Sequence, residues 1–422
     1  MAVKALKGFK DILPEETVVW QQVERVARDI FHRYGYAEIR VPILEQTELF
    51  VRSIGEATDI VEKEMYTFTD RNGTRVTLRP EGTAVVLRSF VENGMHVRQP
   101  VQKLYTIGPM FRHERPQKGR LRQFHQLSAE VLGSDNPLLD AEVMAAAWTL
   151  LQELGVSVSL EINSLGCPAC RPQFKEKLIA FLDAYRGVMC DDCERRRDTN
   201  PLRVLDCKNE ACREKCSRAP SIIDNLCPAC AEHFTKTRAG LELLAVPYRL
   251  NPFMVRGLDY YTRTTFELVT DQLGAQSAVG AGGRYDGLVK QLDGPDLPGI
   301  GFAVGMERLV LLMQQSGSAP VAADLDLFVA ALGDSAAAAA FALLQQLRRH
   351  GLRAAMDLDG KSLKNQMKQA SRAGAAHTLI IGEDELRQGK VVLRAMADGS
   401  QRTIELGEAQ QWPAAVIAAI RK

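Results

Sequence analysis

Val19, Val23, Val26, Ile30 and Phe31 recur at three- and four-residue steps in DILPEETVVWQQVERVARDIFHRYGY, the spacing of one helical face. Pro14 suits the first turn of that helix, and Gly35 its end. AEIRVPIL then alternates apolar and polar positions like a strand, broken at Pro42. RVTLRPEGTAVVLRSFVEN reads as strand, turn and helix. QKLYTIGPMFRHE and RQFHQLSAEVLG read as two strands joined by a loop. DNPLLDAEVMAAAWTLLQELG predicts a helix capped by Asp135 or Asn136, with Pro137 in its first turn and Gly155 after its end. VSVSLEINSLG is strand-like. FELVTDQ, SAVGAGGRYDGLV and GIGFAVGMERLVLLM resume strand and glycine-turn character, the last running into a helix. Together they predict a mainly antiparallel sheet with helices, an α+β pattern.

The rhythm changes after QQSGSAPVAAD, a Gly/Ser/Pro/Ala stretch that reads as a linker over residues 316–323. LDLFVAAL, AAAAAFALLQQLRRHG, LRAAMDLD, KSLKNQMKQASRAG and AHTLIIG then alternate strand and helix. They predict a small α/β domain with some parallel pairing.

Composition narrows the class. The chain has 422 residues, 46% hydrophobic and 25% charged, and a formal charge of +1. That length allows two or three domains. Near-neutral charge argues against a general polyanion binder, so contact with nucleic acid must come from local patches. With no run of about 18 apolar residues and no apolar signal core in MAVKALKGFKDILP, a cytoplasmic protein without membrane spans is expected.

One local patch stands out. Arg112 to Arg122 holds five basic side chains and one acid, Glu114. Strand alternation lets one side of the hairpin carry Arg112, Glu114, Gln126 and Glu130 together, with Ser128 between the last two. Buried, such a face would be costly without a polar ligand or paired charges. Arginine offers a planar fork suited to phosphate. The plainer reading is a solvated hairpin with ion pairs. In LRPEGT, Glu81 and Thr83 could grip an ammonium group, or one of them could cap a helix. MVRGLDYYTRTTFELVT brings Arg256 close to Tyr260 and Tyr261. Strict alternation would put the two tyrosines on opposite faces unless a turn re-aims one. VGAGGRYDG matches neither G-x-G-x-x-G nor a P-loop, so its glycines suggest close backbone approach or tight turning. GIGFAVGMERL sets Arg308 in the first turns of a helix, an arrangement suited to an anion. Three arginines from three separate segments would suit a triphosphate.

TLRPEGTA, FRHERPQKGRLRQFHQ, VRGLDYYTRTTFE, GAGGRYDGLV and GIGFAVGMERL resemble, in order and wording, the signatures of the bacterial histidyl-tRNA synthetase family, within the class II aminoacyl-tRNA synthetases. EIRVPILEQTELF resembles motif 1 of that class, the hairpin motif 2, and GIGFAVGMERL motif 3. The resemblance implies a class II antiparallel-sheet catalytic domain (residues 1–166 and 241–315), a cysteine-rich insertion (167–240) and a C-terminal α/β anticodon-binding domain (324–422). It implies a histidine–tRNA ligase, working with ATP and Mg²⁺, L-histidine and tRNA(His), as a homodimer. Carried over residue by residue, the catalytic arginines are Arg112, Arg256 and Arg308. Histidine would be bound by Glu81, Gly82, Thr83, Arg112, Gln126, Glu130, Arg256, Tyr260, Tyr261 and Tyr285. ATP would meet Arg112, Glu114, Arg120, Arg256 and Arg308. The tRNA acceptor end would meet Arg115, Gln117 and Lys118. RGLDYYTRT marks the histidine enzymes; motifs 2 and 3 alone mark only the class. Two rivals on this fold are a non-catalytic regulatory paralogue of ATP phosphoribosyltransferase, expected to lack the RGLDYYTRT arginine and the last domain, and another acid-activating ligase.

All nine cysteines fall between Cys167 and Cys230, three pairs of them at C-x-x-C spacing. In a cytosolic chain that spacing points to metal. Two Cys₄ zinc sites are expected, Cys167, Cys170, Cys227 and Cys230 in one and Cys190, Cys193, Cys207 and Cys212 in the other, leaving Cys216 over. The alternative is reduced structural thiols. A small insert with little apolar core would gain folding energy from zinc. Lys361, Lys364, Lys368 and Arg372 mark a basic helix face in the last domain, either simply solvated or in contact with RNA phosphate.

Overall fold

The computed structural model describes residues 3–56, 58–273, 277–318 and 325–421. The chain forms two compact units, Met1–Pro320 and Val321–Lys422. Of the expected linker 316–323, residues 319–323 lie outside the described residues.

Among the described residues, eleven strands build the first unit: β1 (Ala37–Glu38), β2 (Leu44–Gln46), β3 (Tyr66–Thr69), β4 (Arg75–Leu78), β5 (Gln102–Phe111), β6 (Gln123–Leu132), β7 (Ser159–Ser164), β8 (Tyr248–Leu250), β9 (Thr262–Val269), β10 (Ala278–Arg284) and β11 (Gly299–Gly305). Eight of them join one sheet in the order β1-β5-β6-β11-β10-β9-β7-β8; β2-β4-β3 form a small second sheet. The large sheet is antiparallel except at its edges, where β1 runs parallel to β5 and β8 to β7. AEIRVPIL is strand only at its two ends. Ile39 still donates its N–H to Tyr105 O at 2.8 Å. Pro42 then offers no donor, and the chain passes to the second sheet.

Alternation decides what each face of the large sheet does. Leu127, Ala129 and Val131 of β6, with Ile300, Phe302 and Val304 of β11, join a core under the helices Pro14–Arg33, Pro137–Glu153 and Met306–Ser316. The first of these helices starts on Pro14, and Gly35 follows its end at φ +78°. It buries Val19, Trp20, Val23, Val26, Ala27, Ile30 and Phe31, each large apolar side chain stabilising the fold by about 1.5–3 kcal/mol. Asn136 caps the second, accepting from the Leu138 N–H at 2.9 Å. The opposite face of β6 presents Gln126, Ser128 and Glu130, and that of β11 presents Gly301, Ala303 and Gly305. Small residues there leave room above the strands.

The segment between β7 and β8 is helical: Arg171–Asp183, Asp191–Thr199, Glu210–Cys216 and Pro228–Leu243. It is not poor in core, contrary to the sequence expectation. Phe174, Leu178, Leu182 and Val204 are buried with Val255, Tyr260, Tyr261 and Tyr285 in one continuous cluster. Phe234 and Leu241 of its last helix join the main core instead. The expected boundary at residue 240 falls inside that helix.

The second unit has β12 (Leu327–Leu332), β13 (Ala354–Met356), β14 (His377–Gly382), β15 (Lys390–Ala395) and β16 (Gln401–Glu405) in the order β13-β12-β14-β15-β16. The first three are parallel and the last two antiparallel additions. The Asp334–Arg349 helix packs Leu343, Leu344 and Leu347 on Leu327, Val329, Leu379 and Ile381. No helix among the described residues is long and apolar enough to cross a membrane.

Candidate active site

The β5–β6 hairpin pairs from Gln102↔Leu132 to Phe111↔Gln123, and its loop narrows to a tight turn at Lys118–Gly119. There Gln117 and Arg120 exchange backbone hydrogen bonds of 3.0 and 2.9 Å, and Gly119 takes φ +72°. Arg115, Gln117 and Lys118 are exposed at this tip. At its base, Glu114 is buried and ion-paired with Arg120. Arg112 donates through Nε to Pro80 O at 2.8 Å and lies over the Phe124 ring at 5.4 Å. Burial lowers the Arg112 pKa, with nearby Glu64 and Glu81 opposing.

Arg112, Glu114, Gly119, Arg120 and Phe124 border a cavity of about 290 Å³ above the small residues of β10 and β11, while Arg115, Gln117 and Lys118 stand outside its lining. Arg112, Arg256 and Arg308 all line it, with Glu114 and Arg120. Arg308 is in the first turn of the Met306–Ser316 helix and donates to Ala278 O and, at 3.4 Å, to Gly119 O. Arg256 pairs with Glu267 of β9 and sits 5.5 Å from the Tyr261 ring centroid. Its segment, 251–261, is built of turns and bends rather than strand, so Tyr260 and Tyr261 both face the cavity.

At one end the lining is Glu81, Gly82, Thr83, Gln126, Tyr260, Tyr261 and Tyr285. Glu81 caps the Thr83–Glu92 helix, accepting from the Thr83 and Ala84 N–H groups at 2.8 and 2.7 Å. It therefore satisfies the capping alternative while also bordering the cavity. Burial raises its pKa, which those N–H groups oppose. Glu130 lies one layer deeper, outside the lining, and accepts from the Thr83 hydroxyl at 2.7 Å and the Tyr285 hydroxyl at 2.5 Å. Burial pushes its carboxyl up to about 8. The Tyr260 ring lies 4.7 Å from Tyr261 and 5.9 Å from Tyr285, centroid to centroid. Arg284, the sequence neighbour of Tyr285, is fully buried and donates to Asp140 at 2.8 and 3.0 Å. Among the described residues, Gln126 Oε1 and Arg256 Nε are buried with no hydrogen-bond partner. Unpaired polar atoms at a cavity suit a polar ligand.

Sequence reasoning missed Glu267, Glu307 and Phe124. Glu307 accepts from the His125 N–H at 3.0 Å through each carboxylate oxygen. An acid interrupting an apolar strand, as in FELV, was the available signal for Glu267. Glu307 had none beyond its place beside Arg308, and Phe124, between Gln123 and His125, had none.

Away from the cavity, Cys167, Cys170, Cys227 and Cys230 gather in one quartet and Cys190, Cys193, Cys207 and Cys212 in another; each could hold a metal ion. In the second unit Lys364, Lys368 and Arg372 are exposed on the Leu363–Arg372 helix. Lys361 precedes the helix and is paired with Asp357 at 3.5 Å and Asp359 at 2.6 Å, so the basic face is weaker there than the sequence suggested.

The family model for histidyl-tRNA synthetase matches residues 8–169 and 201–309, and an anticodon binding domain model matches 326–412. The chain is 61% identical over 407 residues to the histidine–tRNA ligase of Desulfotalea psychrophila, covering 96% of this chain and 94% of that one. Identity to the histidine–tRNA ligase of Syntrophotalea carbinolica is 54% over 412 residues, covering 97% and 98%. The crystal structure of apo histidyl-tRNA synthetase from S. aureus superposes with a TM-score of 0.82 at 38% identity, over 100% of both chains. With three arginines and a tyrosine–carboxylate recess on one cavity, and relatives alike over nearly their whole length, this chain belongs to the histidyl-tRNA synthetase family.

Proposed function

We propose that the chain activates L-histidine with ATP, giving histidyl-adenylate and pyrophosphate, and passes the histidyl group to a ribose hydroxyl of the 3′-terminal adenosine of tRNA(His), with AMP as the leaving group. The observation that carries this is the convergence of Arg112, Arg256 and Arg308 on one cavity beside the tyrosine recess.

In the first step a histidine carboxylate oxygen bonds to the α-phosphorus in line with the bond that breaks, and pyrophosphate leaves with the electron pair. Both reactants are anionic, so fixed positive charge and positioning lower the barrier. Arg112 and Arg256 flank the α-phosphate, and Arg308 holds the γ-phosphate. Arg120, steered by Glu114, adds a further contact, and ATP enters as its Mg²⁺ complex. Glu81, Thr83 and Gln126 take the α-ammonium, whose approach the small Gly82 permits. Glu130 and Tyr261 read the imidazole nitrogens, between Tyr260 and Tyr285. A ring nitrogen gives Glu130 the polar partner its buried carboxyl needs in order to ionise. Selection by hydrogen bonds to buried groups can reject analogues by about 10⁴–10⁵, enough to work without an editing domain.

The exposed tip residues Arg115, Gln117 and Lys118 meet the acceptor end. Residues 324–422 form the anticodon-binding domain, joined through the linker 316–323 to a catalytic domain of 1–166 and 241–315 with its insertion at 167–240. The working form is a cytoplasmic homodimer. Histidine-dependent ATP–pyrophosphate exchange followed by charging of tRNA(His) tests the reading. No exchange, or exchange that prefers another acid, would overturn it.

A further inference from the structure

We infer that both cysteine quartets are zinc sites and that together they brace, from behind, the loop supplying Arg256, Tyr260 and Tyr261. The effect on catalysis rests on the function proposed above; the metal content and the bracing do not.

Sulfur spacing comes first. Cys167 Sγ lies 3.7 Å from Cys170 Sγ and 3.9 Å from Cys227 Sγ, and Cys190 Sγ lies 3.8 Å from Cys207 Sγ. A tetrahedral zinc with bonds of about 2.3 Å needs sulfurs about 3.8 Å apart. A disulfide would need about 2.05 Å. All four ligand atoms of each quartet lie within 4.8 Å of one another, as around a single ion.

Each quartet is also prepared to hold thiolates. Cys170, Cys190 and Cys227 each directly precede a helix, where the backbone dipoles favour negative charge. Backbone N–H groups point at sulfur: Cys227 N–H to Cys170 Sγ at 3.1 Å, Cys190 N–H to Cys212 Sγ at 3.3 Å, and Asn209 N–H to Cys207 Sγ at 3.4 Å. Such outer contacts orient metal ligands. Gly166, at φ +64°, makes the turn into the first quartet, and a Cβ there would come within 2.9 Å of Cys170 Cβ.

The two quartets reach the same loop. Arg171 follows Cys170 and donates to Leu165 O at 3.2 Å and to the backbone carbonyl of Tyr261. Arg203 donates to Arg256 O at 2.9 Å. It lies in the Pro201–Val204 turn, whose last carbonyl accepts from the Cys207 N–H at 3.2 Å. Asn200 adds a bond to Asp259 at 3.1 Å. Residues 251–261 have no strand ladder of their own; Asn163 of β7 holds Met254 O at 2.8 Å and Glu267 pairs with Arg256, and the insertion side chains add the bonds to the Arg256 and Tyr261 carbonyls. Arg171 and Arg203 are positioning residues.

The test uses the full chain purified without chelator. Elemental analysis should find about two zinc ions per chain, about one in Cys170→Ser and in Cys193→Ser, and about two in Cys216→Ala. Zinc well below one per chain, iron in its place, or disulfides among the eight thiols would overturn the metal assignment. Arg171→Met and Arg203→Met should keep both ions yet speed hydrogen exchange of residues 252–261. In pyrophosphate exchange, Arg171→Met should raise the histidine KM about tenfold, and Arg203→Met should act mainly on kcat. Arg171→Lys, which retains a donor, should recover part of the loss; should Arg171→Met not fold, it carries the comparison. Unchanged loop exchange in these variants would overturn the bracing. A wild-type chain that holds zinc but shows no histidine-dependent activity would instead sink the proposed function, with the hydrogen-exchange comparison still deciding the bracing.

Discussion

Glu130 and Gly301 face each other across the β6–β11 pairing, and the Glu130 carboxylate lies where a side chain at 301 would begin. A methyl group there must displace either the acid or the strand. Gly301→Ala should therefore raise the histidine KM at least tenfold and cost about 1–3 kcal/mol of stability, the usual range for overpacking. Pyrophosphate exchange and thermal melting measure the two. Unaltered histidine kinetics would show that Glu130 has no part in reading the amino acid.

Glu130 also gives the ligand-free protein a pH dependence of known sign. Burial raises its carboxyl from an ordinary 4.5 to about 8. The folded chain thus keeps a proton that the unfolded chain releases. The resulting stability is fully present below about 4.5 and is lost as pH rises through about 8. Melting temperature should fall from pH 5 to 8.5 more steeply in the wild type than in Glu130→Gln. Parallel curves would refute the assignment.

Arg256 and Glu267 form an ion pair beside the cavity, with side chains 16% and 23% exposed. Arg256→Ala alone should lower exchange at least about 100-fold, the scale of losing one charge-stabilising donor. It should also cost stability, because Glu267 loses its partner. Adding Glu267→Gln should restore the melting temperature and leave exchange impaired. Near-normal exchange in either variant would contradict the catalytic role.

On the second unit, Lys364→Glu and Lys368→Glu should each raise the KM for tRNA several-fold and flatten its salt dependence, with histidine-dependent exchange unaffected. Lys361→Glu should do less, since Asp357 and Asp359 already neutralise that lysine. Equal effects at all three positions would point to net charge rather than a specific face.

Periodic segments were the legible part of this fold. The Pro14–Arg33 helix and the β5–β6 hairpin follow from repeats of 3.6 and 2. Ile39 to Val41 alternate like strand but are left out of one, because Pro42 stops the ladder and tertiary contacts take over. Strict alternation alone would set Tyr260 and Tyr261 on opposite faces; the re-aiming turn that the sequence called for is present, and both line the cavity. The strands β15 and β16 and the final Trp412–Ile420 helix were not anticipated, although Val391 and Leu393 alternate inward as strand residues do. At the site, the three arginines stood out in their own segments, and the roles of the tyrosines came through family resemblance. The depth of Glu130 was not, because a strand pattern names a face and not a layer.

The Pro228–Leu243 helix lies against Pro137–Glu153 so closely that a Cβ on Gly240 would approach Ala141 Cβ to 2.8 Å. Phe234 and Leu241 belong to the same core as the sheet. Excising residues 167–240 and splicing the stumps would remove Phe174, Leu178, Leu182 and Val204 from the cluster that also holds Tyr260 and Tyr285, and Phe234 from the core under the sheet. The insertion is thus no detachable module, and an engineered truncation must retain that last helix to yield a folded protein.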